Sequence, residues 1–476
     1  RLITEWPPVQ IRPGPCWQHH VPRISSSYLS KYFKKYLSLR LDIAYLLSFN
    51  FRPFILDNKV STMKRVWKIV AIALIAIVLS VLLPLTIASI LYSPEYVQRC
   101  VFWGLSDVYD YEKFPQRMIQ AGPEHFFFRQ GSADDEARIR SMLESALGID
   151  DPDRALEAAG TQAFIVIQND TILYERYFNG ARRESIVTSF SMAKSFTSAL
   201  VGIALAEGHI KSVDDPVTKY LPELALRDPR FSNITLRHLL MMSSGLEFTE
   251  YVYPFCFSDD PLAYYYPNLR ELALENTRII EPPGRHFLYN NYNLQLIGMV
   301  LERATGQNVS CYLQEKIWNP IGMEFNGSWS LDSEESGFEQ MQSGINARAI
   351  DFAKFGRLYL KNGGWTGRQV IPAAWVSEST QEDRSVDRAA YYSQNPHMDE
   401  YQFFLGNGYY KYFWWGYRQD EGISDFFASG HLGQIIYISP QADLIIVRNG
   451  ERSYPKIWDA MHQFACAMRE YRRLEL

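Results

Sequence analysis

The sequence predicts an α/β protein of the α+β kind. One antiparallel sheet is flanked by helices, a mostly helical subdomain interrupts it, and one transmembrane helix precedes both. Three observations point there. A β-hairpin pattern comes before a long helical stretch, strand patterns return only near the C-terminus, and one early run carries no charge. A sheet assembled from both ends of a folded region can carry helices on its faces.

The chain begins with Arg1, and its first methionine is Met63. Residues 1–62 read either as sequence upstream of a natural start or as a cytoplasmic tail, and no function is assigned to them. Lys64, Arg65 and Lys68 then precede the uncharged run from Ile69 to Tyr92. About 20 apolar residues cross a bilayer, and the basic flank places the N-terminal side in the cytoplasm. Residues 63–95 are therefore expected to be a single-pass signal-anchor, with the remainder extracytoplasmic, either periplasmic or extracellular. A signal peptide cut near Ala88 and Ser89 is the competing reading. The run is longer than the roughly 7–15 residues of a signal core, which favours the anchor.

Residues 96–159 read as a connector with a helix over 134–147. Segments 163–168 and 171–178 read as strands joined across Asn169 and Asp170. A helix follows from Ser191 to Ala206 and is stopped by Gly208. From 211 to 394 the pattern is helices and loops, clearest at 235–242, 292–304 and 350–360. Strands return at 410–418, 425–429, 434–439 and 443–448, and a last amphipathic helix covers 457–473. Residues 160–476 are thus expected to form one domain.

With 47% hydrophobic and 21% charged residues the chain reads as globular. A formal net charge of −5, with no basic stripe, gives no sign of nucleic-acid binding. The five cysteines stand far apart and the histidines are scattered, so no metal or other cofactor is expected. Oligomeric state is not legible.

Ser191 and Lys194 are the centre of the chemical reading. Three apart on a helix, they share one face. A lysine that has lost its proton is a base for the serine hydroxyl. Burial and the positive end of the helix dipole both disfavour the charged lysine. Ser-x-x-Lys also occurs at Ser61–Lys64 and Ser453–Lys456. The first lies in the basic flank and the second crosses a proline turn, whereas Ser191 opens a long helix. The bland alternative is a serine capping a buried helix.

An acyl-transfer site also needs a proton donor for the leaving group and donors for the oxyanion. Tyr289 and Asn291 follow Pro283-Gly284 on a loop. Tyr289 suits an acid/base that shares a proton with Lys194. Asn291 suits a bond to Lys194 or to a substrate amide. Tyr-x-Asn recurs at Tyr177 and Tyr266, and Tyr289 as a plain cap of the next helix is the alternative. His431 and Gly433 form the chain's one His-x-Gly, before a strand where glycine lets backbone approach a ligand. A turn histidine without chemistry is the alternative there. Most of the aromatic stretch 409–417 reads as core.

The order Ser-x-x-Lys, Tyr-x-Asn, His-x-Gly resembles the serine β-lactamase and penicillin-recognising superfamily. More narrowly it is similar to the class C β-lactamase-like branch of carboxylesterases, D-aminopeptidases and 6-aminohexanoate-dimer hydrolases. Residues 215–222, 234–245 and 344–356 match as well, and the resemblance spans roughly 160–470. It implies Ser191 as nucleophile, Lys194 as base and Tyr289 as second acid/base, with Asn291 beside it. His431 and Gly433 stand at the third motif, and the oxyanion hole would use the backbone N–H groups of Ser191 and Gln434. The chain departs from penicillin-binding relatives in lacking Lys-Thr-Gly and Ser-Asp-Asn. The reading that follows is a membrane-anchored serine hydrolase acting on a small ester, amide or peptide. Rivals are a D,D-peptidase or β-lactamase, and a non-hydrolytic sensor or assembly protein on the same fold. Substrate selection is expected from the loops 248–268 and 383–407.

Overall fold

The computed structural model describes residues 59–250, 255–390, 392–394, 399–418, 424–453 and 456–475. These fall into two units, divided after Val97. Of the expected tail at 1–62, residues 1–58 lie outside the described residues, and 59–62 already belong to a helix. In the first unit the helix Lys59–Leu91 contains the uncharged run. Its stretch Arg65–Leu91 is 27 residues long with a mean hydropathy of 2.9. At 1.5 Å per residue it is about 40 Å long, more than the ~30 Å hydrocarbon layer. Among the described residues this one helix is long and apolar enough to cross a membrane.

In the second unit the expected connector supplies two short strands, β1 (Gln116–Ile119) and β2 (Arg129–Gln130). The helix Ala133–Leu147 follows, opened by a reciprocal Ser132–Asp135 capping box and closed by Gly148 at φ 64°. β3 (Thr161–Gln168) and β4 (Thr171–Tyr177) form the expected hairpin. Its turn residues Asn169 and Asp170 both have positive φ, 50° and 59°. That turn geometry matches the twist of paired strands. β5 (Val187–Thr188) then leads to the helix Ala193–Ala206. β6 (Gly327–Ser330) and β7 (Ile345–Ala347) lie in the helical body, with the small hairpin β8 (Gly364–Trp365) and β9 (Arg368–Gln369). β10 (Gly408–Lys411), β11 (Trp414–Tyr417), β12 (Asp425–Gly430), β13 (Gln434–Ser439) and β14 (Leu444–Gly450) precede the last helix, Ile457–Glu475.

The main sheet has the order β10-β11-β12-β13-β14-β3-β4-β2. It is antiparallel except where β2 lies beside β4. The central β14–β3 pairing joins its C-terminal and N-terminal halves, as the sequence predicts. β3, β13 and β14 are buried along their whole length, so both faces are covered. On one face the helix Ala349–Leu360 lies flush against the sheet at Gly356. A Cβ there would stand 2.9 Å from the methyls of Ile436 and Ile445. On the other face Asp425 accepts hydrogen bonds from Tyr437 (2.8 Å) and from Arg469 of the last helix (2.6 Å).

Two features differ from the sequence reading. A second sheet, β1-β6-β7-β5, takes two strands from the part expected to be helix and loop, one from the expected connector and one from just before the Ser191 helix. Its strands have two to four residues, too few for alternation to show. The strand expected at 410–418 is instead the hairpin of β10 and β11, turning at Tyr412 (φ 43°) and Phe413 (φ 68°). Neither residue favours a left-handed conformation, so local chemistry gives no warning of the turn. Tertiary contacts hold it. The Tyr412 ring stacks on Trp375 at 5.3 Å, Arg237 bonds its hydroxyl, and Ser195 donates to the Phe413 carbonyl at 2.8 Å.

The flush contact at Gly356 predicts that Gly356→Leu overpacks the helix against the sheet. Thermal unfolding of the full chain should show a loss of about 1–3 kcal/mol.

Candidate active site

The nucleophile turn is held between the two sheets. β5 pairs with β7, and Ser189, the next residue, continues that edge. Its N–H donates to Ile345 O at 2.7 Å, and its Oγ accepts from Ile345 N at 3.1 Å. Phe190 then adopts φ 41°, uncommon for a bulky residue. Ser191 sits in a single 3₁₀ turn, Phe190–Met192, from which the helix Ala193–Ala206 continues. That helix is buried over nearly its full length, and Phe196 stacks on Phe355 at 3.6 Å.

Lys194, one turn on, donates to Ser191 Oγ at 2.8 Å and to the carbonyl oxygen of Gln342 at 2.9 Å. Its side chain is almost wholly enclosed. Desolvation pulls its pKa down to about 7, partly opposed by the charge of Asp260. Near neutral pH much of Lys194 is therefore the free amine. Tyr289 forms the third corner. Its phenol interacts with Ser191, and Lys194 Nζ lies 4.9 Å from the centre of its ring. Burial raises the Tyr289 pKa well above the ordinary phenol value, so the hydroxyl keeps its proton. Asn290, not Tyr289, caps the following helix Asn291–Thr305 by accepting from Tyr292 N at 2.9 Å. Tyr289 is thus free to turn toward the serine.

Of the two partners expected for Asn291, Lys194 is not bonded to it. The Asn291 amide nitrogen donates to Asp260 at 3.0 Å, and Lys194 takes the Gln342 carbonyl instead. The third expected segment is also corrected. His431 does line the cleft, with its ring edge-on to Phe190 at 5.3 Å. Desolvation holds its pKa below the usual imidazole value. Gly433 and Gln434 are outside the cleft lining. Leu432 (φ 60°) and Gly433 (φ 78°) reverse the chain and carry Gln434 into the sheet. There its side chain bonds Gly450 O and Asn449. The strand end facing the nucleophile is Ser429-Gly430. A Cβ at Gly430 would stand 2.4 Å from Ser189 O and 3.0 Å from Ser191 N. Ser429 is itself fixed by Trp458 Nε1 at 2.8 Å.

These groups open into a cleft of about 320 Å³. Both loops expected to govern selection reach it, the first through Phe248, Glu250, Asp260 and Tyr264, the second through Glu400. Gly430, Gln342 and the acidic residues escape sequence reasoning because no spacing marks them. Among the described residues no cluster of His, Cys, Asp and Glu is arranged to hold a metal ion.

Comparison with known proteins places the fold and the family. A profile of the Beta-lactamase family matches residues 153–462. The 6-aminohexanoate-dimer hydrolase of Paenarthrobacter ureafaciens is 25% identical over 319 residues, covering 64% of this chain and 76% of that one. Esterase EstB of Burkholderia gladioli is 31% identical over 240 residues, covering 46% and 57%. Among solved structures, a Bacillus anthracis protein described as a 6-aminohexanoate-dimer hydrolase superposes with a TM-score of 0.61 at 24% identity. It covers 77% of this chain and 94% of its own. A class C β-lactamase mutant gives 0.53 at 14% identity, covering 72% and 100%. With fold, profile and relatives in agreement, the chain belongs to the Beta-lactamase family of serine hydrolases.

Proposed function

We propose that the protein is a membrane-anchored serine hydrolase that cleaves an ester or amide through an acyl-enzyme on Ser191. The observation that carries this reading is the desolvated Lys194 amine 2.8 Å from the serine oxygen. Neutral Lys194 takes the Ser191 proton as Oγ attacks the substrate carbonyl carbon. Tyr289, which keeps its own proton, donates it to the departing alcohol or amine and is reprotonated from Lys194. Water then attacks the acyl-enzyme, the same groups return the proton to Ser191 Oγ, and the acid leaves. The backbone N–H of Ser191, with one from the Gly430 end of β12, is the candidate oxyanion hole. His431 stands at the rim as a neutral hydrogen-bonding group.

The apolar helix and the basic residues before it support a single-pass anchor with the catalytic unit outside the cytoplasm. A cell-wall peptidase or β-lactamase fits less well. Among the described lining residues there is no lysine or arginine to receive a substrate carboxylate. A purely sensory role leaves the tuned Lys194–Ser191 pair without a purpose.

Hydrolysis of a short-chain p-nitrophenyl ester tests the reading. Ser191→Ala should fall by about 10³-fold or more in kcat while the thermal transition is retained. An alanine variant as active as the native protein would overturn it. Activity should rise with pH, because the protonated form of Lys194 is inactive. The ascending limb of kcat/KM is expected near pH 7, and Lys194→Arg, which cannot deprotonate, should abolish it. Gly430→Ala should lower kcat at least tenfold with a smaller change in KM, since the added methyl displaces the Ser189–Ser191 turn.

A further inference from the structure

The stretch before β1, which the sequence reads as a connector, is built into the catalytic unit. Arg99 is buried and donates to Tyr265 O at 3.2 Å and to Asp332 O at 2.6 Å. The Trp103 ring meets Phe114 edge-on at 4.8 Å. The Tyr265 hydroxyl donates to Gly104 O at 2.8 Å, and the Tyr264 hydroxyl donates to Asp110 at 2.9 Å. These contacts fix residues 99–114 against Tyr264 and Tyr265. Both tyrosines line the catalytic cleft, and so do Leu105 and Ser106. Residues 99–114 are thus one lip of the cleft.

That lip holds apolar side chains out in solvent. Phe102 and Leu105 are each 73% exposed, and Val101 is 40% exposed. Three residues apart, Phe102 and Leu105 have Cα atoms within about 11 Å of each other. Single exposed apolar side chains are ordinary, whereas a group of them beside a cleft marks a binding surface. Leu105 is exposed and also lines the cleft, so the apolar surface runs from solvent inward. Phe248, Phe255, Trp415 and Trp458 continue it inside. Leu105 follows Leu91, the end of the apolar helix, by only fourteen residues. The anchor proposed above therefore tethers this lip to a bilayer by a short piece of chain.

We propose that the substrate carries a long apolar chain and is drawn from the lipid bilayer, with Phe102 and Leu105 as the surface over which that chain passes into the cleft. This rests on the anchored-hydrolase reading above and names its substrate class: a lipid-like ester or amide in preference to a small water-soluble one. Each methylene moved from water onto apolar surface strengthens binding about fourfold. A chain of six extra methylenes gives the lip ample scope to discriminate. The chemistry at Ser191 is unchanged, and the lip acts only on which carbonyl is presented to it.

The test uses the full chain in phosphatidylcholine vesicles and two pairs of esters. p-Nitrophenyl octanoate against p-nitrophenyl acetate places the long chain on the acid side. Octyl acetate against ethyl acetate places it on the alcohol side. The long ester should be preferred at least tenfold in kcat/KM in one pair or both. Phe102→Ser and Leu105→Ser, made singly, should each cut that preference at least fivefold. Partition of the long esters into the vesicles acts equally on native and variant proteins, so the change in ratio isolates the lip. Both side chains are largely in solvent, and substitutions of that kind move stability little. Equal use of long and short esters in both pairs, or a preference that both variants retain, would overturn this inference while leaving the hydrolase standing. A full chain that is dimeric in detergent but monomeric as Phe102→Ser would assign the patch to a second copy and overturn it as well. No hydrolysis of any ester would remove the reading beneath it.

Discussion

Lys194 has no carboxylate within ion-pair distance among the described residues, although it is sealed from water. An ammonium in that position is poorly solvated, and the Gln342 carbonyl offers only partial compensation. The amine therefore gives up its proton near neutrality, and a serine beside it gains a base without a histidine or a metal. Much of the fold serves this one desolvation. The helix Ala193–Ala206 is packed against Phe355 and held to the β10–β11 turn by Ser195. Tyr289 covers Lys194 with the face of its ring. If water reached the lysine, its pKa would return toward the ordinary value and the base would be lost.

Placement is the second requirement, and it comes from the two sheets meeting at one turn. The small sheet holds Ser189 by its backbone and hydroxyl. The large sheet presents Gly430, whose missing side chain leaves room for that backbone. Phe190 is held between them in a left-handed conformation, at a cost of order 1–3 kcal/mol. The same phenylalanine packs against His431, so the strained residue also builds the rim of the cleft. Strain at this position has a geometric result, because it sets where the serine oxygen points.

What could be read in advance follows the range of the forces involved. The hairpin across Asn169-Asp170, the long helices and the Ser191–Lys194 pair were legible because local chemistry specifies them. The small sheet was not, since two-residue strands such as β5 carry no period. The turn at Tyr412–Phe413 contradicts its own residue preferences and exists only through Trp375, Arg237 and Ser195. His431 was found by its glycine neighbours, yet the approach to Ser191 is made by Gly430. A motif marks a neighbourhood in sequence, and only the turn at Leu432–Gly433 decides which residue of it faces the cleft. Asp260 and Gln342 carry no motif, and their meaning lies in bonds made across the fold.

The register of the central strands sets a demand on biosynthesis. Thr161 pairs with Gly450 and Gln168 with Leu444, so β3 waits for the last of the described strands. At ~5–20 residues per second that interval is about 15–60 s. Through it one edge of the Thr161-Gln-Ala-Phe-Ile-Val-Ile-Gln168 strand is unpaired, and its apolar faces lack their final cover. A chain in synthesis must therefore be kept from pairing with others until its C-terminus arrives. Truncation near the end removes the neighbour on which the whole sheet closes.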